Sequence, residues 1–180
     1  MAIAWNVVAT MLTGEFVRAK QLLERFGPVE TMGFFNVLVL QADDPGQFLG
    51  VYSKRAAEDE RLEQCVSRIV PMARLFDFTD AEDFEQKIRK EAMTFVSQLE
   101  GKAFHVRMKR RGLKGELSSL EEEQSLDKVL LDELERRGAP GRIDFDDPDA
   151  VIDIETVGNR AGAALWTRED LKRFPFLKVD

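Results

Sequence analysis

Six of the chain's 26 lysines and arginines fall between Gly101 and Gly115 with no acid among them: Lys102, Arg107, Lys109, Arg110, Arg111 and Lys114. The remainder then carries 20 cations against 33 acids, so a chain of net charge −7 is one basic segment on an acidic body. A phosphate chain responds to charge within about a Debye length, so the local excess and not the average sets the electrostatic footprint. Phe104, Val106 and Met108 alternate with His105, Arg107 and Lys109, the period of a half-buried strand. That strand aligns His105, Arg107, Lys109 and then Arg111 on one face at about 6.6 Å intervals, near the spacing of phosphates along a single strand. The competing assignment is a solvated strand whose cations pair with the acidic run Glu121, Glu122 and Glu123.

Little else in the sequence supports chemistry. A nucleophile needs a base within hydrogen-bond reach, yet the only histidine, His105, lies about forty residues from the only cysteine, Cys65. Their expected roles are an exposed strand residue and a small hydrophobe on an amphipathic helix. There is no Gly-x-Ser-x-Gly elbow, no Gly-Lys-Ser/Thr phosphate loop and no Gly-x-Gly-x-x-Gly after a strand. One cysteine and one histidine make neither an internal disulfide nor a four-ligand zinc site. The run from Asp144 to Asp149 has aspartate where a calcium loop needs its sixth-position glycine, so it reads as a turn in which Asp146 or Asp147 bonds the backbone ahead of Pro148. An acylphosphatase-like site would need an arginine in the loop after the first strand, and Thr10 to Glu15 has none. The expectation is a protein that is not an enzyme, with no cofactor and no metal.

The elements that must hold these residues follow from periodicity. With 44% hydrophobic and 33% charged residues, 12 glycines and 6 prolines, the composition is that of a globular chain. No apolar run approaches the roughly 20 residues of a membrane span, and the first residues have no basic region of the secretory kind, so the expected location is the cytoplasm. Trp5 to Leu12 reads as a strand and Glu15 to Phe26 as a helix ended by Gly27-Pro28. Val29 to Thr31 and Phe35 to Gln41 read as strands, and Pro45 to about Glu60 as a helix capped by Asp44. Arg68 to Phe78 reads as a last strand with Pro71 at an edge or bulge. That order is the ferredoxin-like βαββαβ pattern over residues 1–78. A long helix is expected from the Thr79-Asp80-Ala81-Glu82 box to Gly101, then the basic strand and a helix to Arg137 that either Ser118 or Ser119 can cap. Strands at Arg142 to Phe145, Ala150 to Val157 and Gly162 to Trp166, a helical turn near Thr167 and Asp170, and a tail packed back through Phe174, Phe176 and Leu177 complete a second domain at 79–180.

The segment from Thr79 to about Trp166 resembles a THUMP domain, the module shared by thiouridine synthases, tRNA methyltransferases and pseudouridine synthases. The resemblance rests on Phe104-His105-Val106-Arg107-Met108-Lys109-Arg110-Arg111-Gly112, on the serine-capped helix, and on Ile143-Asp144-Phe145-Asp146-Asp147-Pro148-Asp149-Ala150-Val151-Ile152-Asp153-Ile154-Glu155. Arg68-Ile69-Val70-Pro71 is similar to the end of the ferredoxin-like domain that precedes THUMP, so the α+β pairing covers nearly the whole chain. The resemblance implies tRNA binding at the acceptor stem and 3′ CCA end, and among family members without a catalytic domain the chain is similar to stand-alone adaptors that present tRNA to a separate acetyltransferase making N4-acetylcytidine. Arg107, Lys109, Arg110 and Arg111 would then meet phosphates, with His105 beside them, Lys102 and Lys114 extending the patch, and Arg68 and Arg74 as outlying candidates. Ser118 and Ser119 would either contact phosphate at the helix N-terminus or only cap it. Asp144, Pro148, Asp149 and Glu155 match as structural positions. The alternative is a protein-interaction module with no RNA ligand.

Overall fold

Asn6 sets where the first sheet begins: its Oδ1 accepts the Ala42 N–H at 2.8 Å and its Nδ2 donates to the Ala42 carbonyl at 2.9 Å. Those side-chain bonds extend the ladder beyond its backbone bonds, in which the Asn6 N–H donates to the Leu40 carbonyl at 3.0 Å. The computed structural model describes residues 2–179. The chain forms two compact units, Met1–Ala73 with Phe174–Lys178, and Arg74–Arg173 with Val179–Asp180.

The first unit runs β1 (Val7–Met11), α1 (Phe16–Leu23), β2 (Val29–Thr31), β3 (Val37–Leu40), α2 (Pro45–Glu58), α3 (Arg61–Cys65) and β4 (Val66–Pro71). Its antiparallel sheet has the order β2-β3-β1-β4, the ferredoxin-like arrangement. Val7, Ala9, Leu38, Leu40 and Ile69 from the sheet pack with Leu23, Phe48, Tyr52 and Leu62 from the helices. Gly27 is required where it stands: its φ is +146° and an added Cβ would lie 2.2 Å from the Gln41 carbonyl oxygen. The expected helix to Glu60 instead stops at Glu58, because Asp59 is extended and its carboxylate takes the Arg61 N–H at 3.1 Å, starting α3.

The second unit runs β5 (Arg74–Asp77), α4 (Ala81–Met93), α5 (Val96–Leu99), β6 (Ala103–Lys109), α6 (Ser119–Arg136), β7 (Arg142–Ile143), β8 (Ala150–Val157), β9 (Arg160–Thr167) and α7 (Arg168–Arg173). Its sheet has the order β5-β9-β8-β6-β7, with β6 parallel to both neighbours. The single strand expected over 68–78 is therefore two strands in two sheets. The ladder with β1 ends where the Met72 N–H donates to the Asn6 carbonyl at 2.8 Å, and Arg74 to Asp77 pair instead with Arg160 to Ala163 of β9. The long helix expected to Gly101 is likewise broken, where the Thr94 hydroxyl turns back onto the Glu91 carbonyl at 2.6 Å. Leu126, Leu130 and Leu134 of α6, one turn apart, and Phe84 and Ile88 of α4 cover Phe104, Val106, Ile152 and Ile154 of the sheet. Among the described residues no helix is long and apolar enough to cross a membrane.

Candidate nucleic-acid interface

β6 carries the basic segment, and only one of its flanks is fully paired. It runs beside β8 from Phe104 to Lys109 but beside β7 only at Ala103 and Phe104. On the other flank α6 supplies the missing acceptors: Asp127 Oδ1 takes the Val106 N–H at 3.0 Å, and Glu123 Oε1 takes the Met108 N–H at 2.8 Å. The match is geometric, because four residues of helix and two of strand both advance by about 6 Å. Burial, with the nearby Glu123 charge, raises the Asp127 carboxyl to about 7 against the opposing Val106 hydrogen bond. Glu122 is also raised to about 7, by burial and then by its hydrogen bond and charge repulsion with Glu85.

The predicted cations separate into distinct environments. His105 departs from the expected exposed position: it is buried at 5%, with its Nδ1 donating to the Asp144 carbonyl at 2.9 Å and its ring against Phe145 at 5.1 Å between centroids. The departure follows from the turn after β7, which lays Phe145 against the imidazole. Arg107 is partly exposed, with Glu123 at 4.0 Å, and Lys109 is half-buried at the strand's end. Arg110 donates to the Gly112 carbonyl, and Arg111 pairs at 2.5 Å with Glu155, which has no solvent exposure. In the loop that follows, Leu113 tucks against the core at φ 51°, and its carbonyl accepts the Leu117 N–H at 3.1 Å. That anchorage leaves Lys114 exposed at the tip. Ser118 is the helix cap, accepting the Glu121 N–H at 3.3 Å, and Ser119 is the first helical residue. Lys102 is exposed at the opposite end of β6. Arg74 is exposed in β5, while Arg68 is buried in β4 with its Nε donating to the Lys178 carbonyl at 2.6 Å.

The aspartate-rich turn is built around Asp144, not Asp146 or Asp147. Its Oδ1 accepts the N–H groups of Asp146 at 2.9 Å and Asp147 at 3.0 Å, which hold its carboxyl below the usual range. Asp149 accepts the Ala103 N–H at 2.9 Å, and Arg168 lies 3.1 Å from Asp147 and 3.3 Å from Asp149. Periodicity had no means of finding Arg168, which a turn brings beside Lys102 in a shallow groove shared with Asp149, Thr167 and Glu169. It also gave no reason to single out Phe145 or Arg142, both exposed next to the basic strand.

No family model and no curated protein matches the sequence. Solved structures do match. PH1313 from Pyrococcus horikoshii is 15% identical, over 89% of this chain and 54% of that one, with a TM-score of 0.58. TrmN from Thermus thermophilus is 17% identical, over 88% and 44%, with a TM-score of 0.58. A 4-thiouridine synthetase, in an RNA complex with bound ATP, is 14% identical over 91% and 42%, with a TM-score of 0.53. The chain thus spans about half the length of the structures it matches. These matches correct the expectation that the protein is not an enzyme. The same fold occurs in a synthetase and in a predicted N6-adenine-specific DNA methylase from Listeria monocytogenes, the latter at a TM-score of 0.53, so the missing nucleophile motif is no argument against an activity. The architecture that this chain shares with them is the THUMP-type α+β fold.

Proposed function

We propose that the chain binds tRNA by its acceptor stem and 3′ CCA end and presents a nucleotide to the active site of a tRNA-modifying enzyme. The observation that carries this reading is the fold shared over 91% of the chain with a synthetase solved in complex with RNA. The charge distribution supports it: the acid-free stretch from Lys102 to Lys114 lies along one strand and its exit loop, on a chain that is otherwise strongly acidic. In this reading residues 79–180 are the RNA-binding domain, and Arg107, Lys109, Arg110 and Lys114 meet phosphates. Arg111 serves mainly to hold Glu155, and an N4-acetylcytidine acetyltransferase is the first enzyme to test as recipient of the bound tRNA.

The test is a titration of the full chain against total tRNA, the same tRNA trimmed of its 3′ CCA, and duplex DNA. If about four cations meet phosphates, log affinity falls against log salt with a slope near −3, a loss of about sixtyfold between roughly 50 and 200 mM. Replacing Arg107, Lys109 and Arg110 together by Ala abolishes binding while the melting temperature stays within a few degrees. Equal affinity for all three nucleic acids, or binding insensitive to salt, refutes the reading.

A further inference from the structure

Phe145 is a large apolar side chain left 63% exposed, yet it is held rigidly. The Asp144 N–H donates to the Phe104 carbonyl at 3.1 Å, and the Asp144 carboxylate ties the two residues after Phe145. Its ring rests on that of His105 at 5.1 Å with an interplanar angle of 40°, and His105 is itself pinned through Nδ1 to the Asp144 carbonyl. A phenyl ring fixed on a buried imidazole has one face packed and one face open, with little rotamer entropy left to lose on binding. The strands beside this turn carry the exposed Arg142 on β7, Lys102, whose carbonyl accepts the Arg142 N–H at 3.1 Å, and Arg107, two residues along the strand from His105. Arg107 Nε is buried with no hydrogen-bond partner among the described residues, so it is a donor set back from the surface. Three of the turn's four carboxylates are engaged, Asp144 by backbone N–H groups and Asp147 and Asp149 by Arg168, while Asp146 is exposed.

From this juxtaposition we propose that the open face of Phe145 is a stacking platform for one unpaired nucleobase of RNA, with Arg142, Lys102 and Arg107 taking the adjoining phosphates. The proposal rests on the RNA-binding reading above and adds to it a discrete base-binding position outside the cationic loop. Stacking is indifferent to sequence because every base has a π-face, and it requires a base free of its duplex partner.

Three forms of the full chain, wild type, Phe145→Ala and Phe145→Trp, are titrated with a single-stranded RNA oligonucleotide and with a blunt RNA duplex of the same length. Loss of one base–aromatic stack weakens single-strand binding about tenfold in Phe145→Ala and leaves duplex binding within about twofold. Phe145→Trp keeps wild-type affinity. Its emission, seen above that of the buried Trp5 and Trp166, is quenched by the single strand and not by the duplex. Unchanged single-strand affinity in Phe145→Ala, or an unquenched Phe145→Trp at saturation, overturns the platform while RNA binding itself stands. Absence of RNA binding by the wild type overturns both.

Discussion

Replacing Asp127 tests how the basic strand is held. The Val106 N–H that Asp127 accepts at 3.0 Å belongs to a residue only 1% exposed, so nothing else takes its place. In Asp127→Ala that N–H is stranded, at a cost of about 1–3 kcal/mol. Asp127→Asn keeps an amide oxygen for the same bond and removes the titration. The wild-type carboxyl titrates near 7 in the folded protein and near 4 when unfolded, so between those values the folded state holds a proton that the unfolded state has lost. Stability from this group is therefore fully present below about pH 4 and is lost as pH rises towards 7. Discounted for solvent screening, the loss between pH 5.5 and 8 is about 1 kcal/mol, and Glu122, raised in the same direction, adds to it. Urea unfolding at the two pH values, with hydrogen exchange read at the Val106 amide, separates the terms. Asp127→Asn shows a shallower pH slope than wild type and a protected amide, while Asp127→Ala loses about 2 kcal/mol relative to Asp127→Asn and exchanges faster. Equal stability of the two variants, or an unchanged slope in Asp127→Asn, refutes the argument that this carboxyl completes the strand's open flank.

Arg111→Ala removes the partner at 2.5 Å from a fully buried Glu155 and lowers stability by at least about 2 kcal/mol, whereas Arg107→Ala, with Glu123 only at 4.0 Å and the side chain partly exposed, costs under about 1 kcal/mol. Urea midpoints rank the two, and equal losses would contradict the division of the basic segment into structural and displayed cations. Gly27→Ala forces a Cβ into the Gln41 carbonyl at a left-handed φ and destabilises the first unit by more than about 2 kcal/mol. A melting temperature unchanged within about 2 °C would show that the turn relaxes.

Local chemistry was legible from the residues alone. The alternation at Phe104 to Lys109, the serine cap of the helix that follows, the proline behind Asp44 and the Thr167–Asp170 turn each act within a turn or a pleat, and a strand or helix formed at each of these places. The βαββαβ order followed because strand and helix periods differ, and the α+β pairing was legible from motif order. What short-range pattern does not contain is the choice of partner. The apolar run through Pro71 has the same period on either side of Ala73, and only pairing with β1 or with β9 divides it between two sheets. His105 and Arg107 have equivalent places in the alternation, yet the turn after β7 lays Phe145 over one and leaves the other reaching towards Glu123. The acidic run Glu121 to Glu123 read as a partner for the strand's cations, while Glu123 and Asp127 are acceptors for backbone N–H groups on the flank of β6 beyond its short pairing with β7. In each case the sequence determined which residues can bury, bend or carry charge, and the tertiary structure decided which N–H, ring or carboxylate they met, because those partners are brought together by long-range closure and not by spacing along the chain.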